Sequence, residues 1–238
     1  MSKQNVLCKK PIIVALDFDS LTEARALVKK LDPRLCRVKV GKEMFTLFGP
    51  DWVKELLDQQ FEVFLDLKFH DIPNTVAKAC VAAASLGVWM VNLHASGGAK
   101  MMLAAKQALD HCAQPPLLTA VTLLTSMDSQ EYQRLGYQRT LGDQVMHYAS
   151  MAKDCGLDGV VCSAWEAQAL SAALGNDFKL VTPGIRPKNY QKDDQSRIMT
   201  PSQAIAAGSS YLVIGRPITS VRDPLGSLCE ISENLVSH

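Results

Sequence analysis

Short apolar runs alternate along this chain with longer stretches in which apolar residues recur every three or four positions, and the alternation repeats eight times. The first run, residues 12–16 (Ile-Ile-Val-Ala-Leu), is apolar throughout, as suits a strand buried on both faces, and Asp17 and Asp19 close it. Ser20 is placed to cap a helix reaching residue 31, with Glu23 at the third position of a capping box. Further strands are expected at 37–41, 61–68, 89–94, 117–124, 159–162, 179–185 and 211–215. Helices are expected at 50–59 and 73–86, then one ending near residue 112, then at 141–155, 164–174, 201–207 and 224–235. The polar stretches up to Arg139 and across 186–197 read as loops. Eight strand-then-helix units with no linker and no break in composition predict one α/β domain over residues 1–238, a (β/α)8 barrel of the TIM type. A doubly wound open sheet shares the alternation and differs in closure, which alternation does not report.

The third strand breaks the apolar rule. In the run Phe61-Glu62-Val63-Phe64-Leu65-Asp66-Leu67-Lys68, alternation sends Phe64, Asp66 and Lys68 to one face and Val63, Leu65 and Leu67 to the other. Burying a carboxylate and an ammonium costs several kcal/mol per ion before their attraction offsets it. A structural ion pair accounts for the pattern by itself; a functional pair requires that other strands bring chemistry to the same place. Active sites of such barrels lie at the C-terminal strand ends. There the sequence puts Asp17, Lys39, Asp66, Lys68, Asn92, His94, Thr125, Ser126, Arg186, Gly215 and Arg216. Gly215 and Arg216 read as an anion site, since barrels hold phosphate on the loops after strands seven and eight. Taken alone, Arg216 is equally a surface ion-pair partner. His94 is expected to support the site rather than react, and His70 is expected to face away from Lys68.

Composition narrows the function. Lysine plus arginine (25) nearly balances aspartate plus glutamate (24), which argues against nucleic acid or a membrane surface as partner. The seven cysteines are scattered without a C-x-x-C pair, which suggests neither a disulfide framework nor a zinc site and fits a reducing cytoplasm. The apolar run at 11–16 is too short for a signal sequence or a membrane span. Zincin, dinucleotide and P-loop fingerprints are absent, and Gly97-Gly98 reads as a turn into a helix.

The ordered set of motifs resembles one family. Asp66-x-Lys68-x-x-Asp71-Ile72-Pro73-Asn74-Thr75, with Ala-Leu-Asp at Asp17, Lys-Val-Gly at Lys39, Thr-Pro-Gly-Ile-Arg at Arg186 and Ile-Gly-Arg at Arg216, is similar to the bacterial orotidine 5′-phosphate decarboxylases across residues 12–235. The resemblance implies a homodimeric barrel that converts orotidine 5′-monophosphate to UMP and CO2 without metal or organic cofactor. It further implies a catalytic network of Lys39, Asp66, Lys68 and Asp71, with Asp71 reaching the partner's site. Asp17, Lys39 and Thr75 are then expected at the ribose, Thr125 and Ser126 at the pyrimidine, and Gln195, Gly215 and Arg216 at the phosphate with Arg186 close by; Asp66 and Ile72 complete the binding set. Gln195 lies in the loop after strand seven, which is expected to act as a lid. Magnesium-dependent 3-keto-L-gulonate 6-phosphate decarboxylases and hexulose-phosphate synthases share the Asp-x-Lys-x-x-Asp element but carry an acidic residue where Lys39 stands. A Schiff-base aldolase using Lys68, or a catalytically silent phosphate-ligand sensor, are further readings.

Overall fold

The structure is a computed structural model that describes residues 10–187 and 199–236. Its strands are β1 (Ile12–Leu16), β2 (Arg37–Gly41), β3 (Val63–Phe69), β4 (Met90–His94), β5 (Leu117–Val121), β6 (Gly159–Val161), β7 (Lys179–Thr182) and β8 (Tyr211–Ile214). All pair in parallel with their sequence neighbours, and β1 also pairs with β8, which closes the barrel that alternation left open. Helices α1 (Leu21–Val28), α2 (Lys42–Asp58), α3 (Pro73–Ser85), α4 (Ala99–Asp110), α5 (Ser129–Arg134), α6 (Leu141–Asp154), α7 (Ala167–Leu174), α8 (Pro201–Ala206), α9 (Arg216–Thr219) and α10 (Pro224–Val236) connect the strands.

Two packing layers follow from strand alternation. Outward residues such as Ile12, Val14, Val38, Val40, Val63 and Leu65 join the helices in one large apolar layer. Inward residues Ile13, Ala15, Phe64, Met90, Val181, Tyr211 and Val213 fill the barrel itself. β6 and β7 approach closely at Gly159, where an added Cβ would stand 2.1 Å from the Lys179 carbonyl oxygen.

Four features depart from expectation. The helical stretch after β2 begins at Lys42, directly from the strand, with a first segment ahead of the expected one from Pro50. Non-helical Gly49 (φ 64°, ψ −162°) separates the two segments, so the Gly-Pro pair that reads as a helix start does open the second one. The stretch after β5 contains α5, capped by the Asp128 side chain on the Glu131 N–H, and β8 runs straight into α9. The β3–β4 ladder also shifts register between Leu65 and Phe69.

The N-terminal mouth of the barrel is plugged. Arg37, 7% exposed, stacks over Trp89 with 4.1 Å from guanidinium carbon to ring centroid, and lies 5.2 Å from the Tyr211 ring. It donates to the Lys10 carbonyl and pairs with Glu62 at 3.3 Å, while Lys10 pairs with Glu62 as well.

Candidate active site

At the opposite mouth, alternation along β2 brings Lys39 onto the same inner face as Arg37, and β3 presents Asp66 beside it. Lys39 Nζ lies 3.1 Å from Asp17 Oδ1 and 3.4 Å from Asp66 Oδ2. Lys68 Nζ lies 2.7 Å from Asp66 Oδ1. Asp66 therefore carries one ammonium on each oxygen, at 8% exposure. Gly41 leaves room for the cluster, because a Cβ there would meet Lys39 Nζ at 3.3 Å and Asp17 Oδ1 at 3.5 Å.

Burial pulls both ionisations the wrong way, toward a neutral lysine and a protonated aspartate. The charges outweigh it. Against desolvation, Asp66 and Asp17 hold the Lys39 ammonium above the ordinary lysine value. Against the same desolvation, Lys39 and Lys68 hold the Asp66 carboxyl below the ordinary carboxylate range. Lys39 and Asp66 therefore both stand charged at neutral pH.

Lys68 adopts a left-handed backbone, φ 54°, a conformation that costs a side-chain-bearing residue about 1–3 kcal/mol and collects at functional sites. Its N–H donates to Asn92 Oδ1 at 2.8 Å, and Asn92 Nδ2 donates to Asp66 Oδ1 at 2.7 Å. His94, next along the inner face of β4, lies 5.5 Å from the His70 ring, centroid to centroid. Burial first, then the charges of His70, Lys42 and Lys68, push the His94 imidazole down to about 4 against the pull of Asp66. His94 is neutral at physiological pH.

The network lines a cavity of about 640 Å³. Asp17, Lys39, Asp66, Lys68, Thr125, Arg186, Gly215 and Arg216 all border it, so eight residues singled out in the sequence meet around one space. Arg186 is buried there, its Nη1 donating to the Ile185 carbonyl at 3.0 Å. Ser126 is exposed beyond the rim. Asp71, Ile72 and Thr75 stand outside this chain's cavity in an exposed run, where Asp71 Oδ1 accepts from the Ile72 N–H at 2.6 Å. Gln195 lies outside the described residues.

The cavity also has walls that sequence reasoning did not name: Phe18, Leu123, Leu124, Thr219 and Ser220. Thr219 sits one helical turn after Arg216, a spacing that carries meaning only once α9 is known to be helical. The apolar rim residues carry no chemical signal in one sequence.

A sequence model of the orotidine 5′-phosphate decarboxylase / HUMPS family matches residues 10–231. The chain belongs to this family. A relative from Pseudoalteromonas translucida named orotidine 5′-phosphate decarboxylase is 61% identical over 227 residues, covering 95% of this chain and 97% of its own. One from Vibrio cholerae serotype O1 with the same name is 60% identical over 226 residues, covering 94% and 98%. The crystal structure of orotidine 5′-phosphate decarboxylase from Lactobacillus acidophilus superimposes with a TM-score of 0.85 at 39% identity, covering 95% of this chain and 99% of that one. In this member of the decarboxylase / HUMPS family, the Asp-x-Lys-x-x-Asp element divides spatially: Asp66 and Lys68 border the cavity, and Asp71 does not.

Proposed function

We propose that this chain decarboxylates orotidine 5′-monophosphate to UMP and CO2 in pyrimidine biosynthesis, as a single barrel domain acting in the cytoplasm. The observation that carries the reading is Asp66 held between two ammoniums on the wall of a cavity whose border also includes Arg216. Breaking the bond from C6 to the carboxylate leaves an electron pair on a ring carbon that delocalises it poorly. Lys68 is assigned two tasks: its ammonium meets that charge as it develops, then gives its proton to C6. Asp66 keeps Lys68 charged until transfer and faces the departing carboxylate. Asp17 and Lys39 bind the ribose, with Thr75; Thr125 and Ser126 read the pyrimidine; Arg186, Gln195, Gly215 and Arg216 hold the phosphate, whose binding energy positions the remote C6.

The magnesium-dependent branch requires an open anionic donor set. Here the Asp66 oxygens are both engaged by ammoniums, and among the described residues no three His, Cys, Asp or Glu side chains converge as a metal ion would need. Loss of orotidine 5′-monophosphate absorbance should therefore proceed equally with and without EDTA. Inhibition by EDTA, reversed by magnesium, sinks the cofactor-free reading. In the same assay Lys68→Ala should bind UMP yet lose about 10⁴-fold in rate; a variant near wild-type rate removes Lys68 as acid.

The reading includes a homodimer in which Asp71 serves the partner's site. The exposure of Ile72, 66%, at the centre of an exposed run supports a covered surface there. Mixing inactive Lys68→Ala and Asp71→Ala subunits should restore activity, since each mixed dimer regains one intact site. A mixture as inactive as its parents places Asp71 in its own subunit's chemistry.

A further inference from the structure

Between the pairs Leu65↔Val91 and Phe69↔Leu93, three residues of β3 stand opposite one residue of β4: Asp66, Leu67 and Lys68 against Asn92. A bulge leaves backbone groups without ladder partners. Here the unpaired group is the Lys68 N–H, in a residue already turned to φ 54°, and the Asn92 side chain takes the place of the missing carbonyl at 2.8 Å. The other half of the same carboxamide donates to Asp66 Oδ1 at 2.7 Å. That oxygen also receives Lys68 Nζ at 2.7 Å, and Oδ2 is left to Lys39 at 3.4 Å.

The assignment of the amide is forced by its partners. A backbone N–H only donates and so faces Oδ1; a carboxylate only accepts and so faces Nδ2. Asn92 is 0% exposed, so water does not substitute for either bond. Aspartate in this place offers acceptors to both neighbours, serine a single oxygen and leucine nothing. An uncharged side chain with an acceptor and a donor side by side is what the bulge requires.

We propose that Asn92 is a positioning residue that holds the β3 bulge and sets the rotation of the Asp66 carboxylate, thereby deciding which oxygen meets Lys68 and which meets Lys39. It touches no substrate in this assignment and acts through the two groups it binds. The inference rests on the roles given above to Lys68 and Asp66.

The test measures kcat and KM for orotidine 5′-monophosphate across pH, with UMP affinity and thermal stability, for Asn92→Ala, Asn92→Asp and Lys68→Ala. Misplacing a reacting group by about 1 Å costs on the order of 10²-fold. Asn92→Ala should therefore lose kcat about 10²-fold while KM and UMP affinity stay within about threefold of wild type. Asn92→Asp keeps the acceptor for the Lys68 N–H but sets a second carboxylate against Asp66. It should be as impaired as the alanine variant at pH 8 and recover toward acid, where one shared proton restores the donor. Asn92→Ala should show no such acid recovery.

Wild-type kcat in Asn92→Ala overturns the proposal, and so does an Asn92→Asp profile without the acid recovery. If the alanine variant does not fold, the aspartate profile decides alone. Lys68→Ala separates the two levels of the argument. Full activity there refutes the catalytic reading itself; an inactive Lys68→Ala beside a fully active Asn92→Ala refutes only the role of Asn92.

Discussion

Arg37 and Lys39 lie two residues apart on one strand, point into the same barrel, and are buried to 7% and 8% exposure, yet their surroundings give them opposite uses. Arg37 is covered by two aromatic faces, pairs with a glutamate and does not border the cavity of the open mouth. A planar, weakly hydrated guanidinium suits that stacking, and its stem adds apolar contact. Lys39 borders a cavity of about 640 Å³ that Arg186 and Arg216 also border, and its partners are the carboxylates of the network. A buried charge is therefore no marker of function. What separates the two mouths is open space beside the charge and the convergence of further polar groups on it.

Exchanging the two losses tests this contrast. Lys39→Ala should cut kcat/KM about 10³-fold through lost electrostatic stabilisation. Its fold should persist, because Asp66 keeps Lys68 and Asn92 as partners. Arg37→Ala should do the reverse, lowering stability by about 3 kcal/mol through lost stacking and pairing, with kcat unchanged at temperatures where it is folded. Denaturation curves and initial rates on both variants supply the check. A stable Arg37→Ala with a slow turnover, or an unfolded Lys39→Ala, dissolves the distinction between the mouths.

The same contrast explains what was legible in the sequence. Most strands follow from apolar runs, because a parallel barrel buries both faces of each strand, while β2 alternates Arg37 and Lys39 with valines. The charged mouth was legible because Asp17, Lys39, Asp66 and Lys68 interrupt that rule. Closure of the barrel, the bulge and the left-handed Lys68 were not, since each depends on register between strands rather than on the order of residues within one. Strict alternation placed Asp66 and Lys68 correctly on the inner face yet gave no sign that Asn92 would bridge them. The first segment of α2, residues 42–48, went unread, while Gly49-Pro50 marked the start of the second. Arg216 was found as a charge, while its place at the first turn of α9 was not, because four residues are too few for periodicity to register.

Arg216 sharpens the contrast within the open mouth. It borders the same cavity as Lys68 but is assigned to the phosphate, remote from the reacting carbon. Arg216→Ala should raise KM for orotidine 5′-monophosphate and weaken UMP binding by about 10²-fold, the scale of a charge-assisted contact to phosphate, about 2–3 kcal/mol. Activity on the unphosphorylated nucleoside should change little. A nucleoside turned over as well as the nucleotide by the native chain removes the phosphate assignment.

Acid gives the smallest effect and still distinguishes the two mouths. At the open mouth, burial together with the charges of His70, Lys42 and Lys68 lets His94 bind its proton only near pH 4. Its folded value lies below the ordinary histidine value of 6.5, so between the two the unfolded chain holds more protons. The stability contributed by neutral His94 is therefore fully present above about pH 6.5 and is lost as pH falls toward 4. The ring is partly exposed, so solvent screening reduces that contribution. Denaturant titrations from pH 8 to 4.5 should show a slope that His94→Gln reduces and Arg37→Ala does not, and an NMR titration of the His94 ring should place its midpoint near 4. A midpoint near 6.5 means that neither burial nor the charges at the open mouth act on the His94 ring, which separates it from the Lys68 cluster.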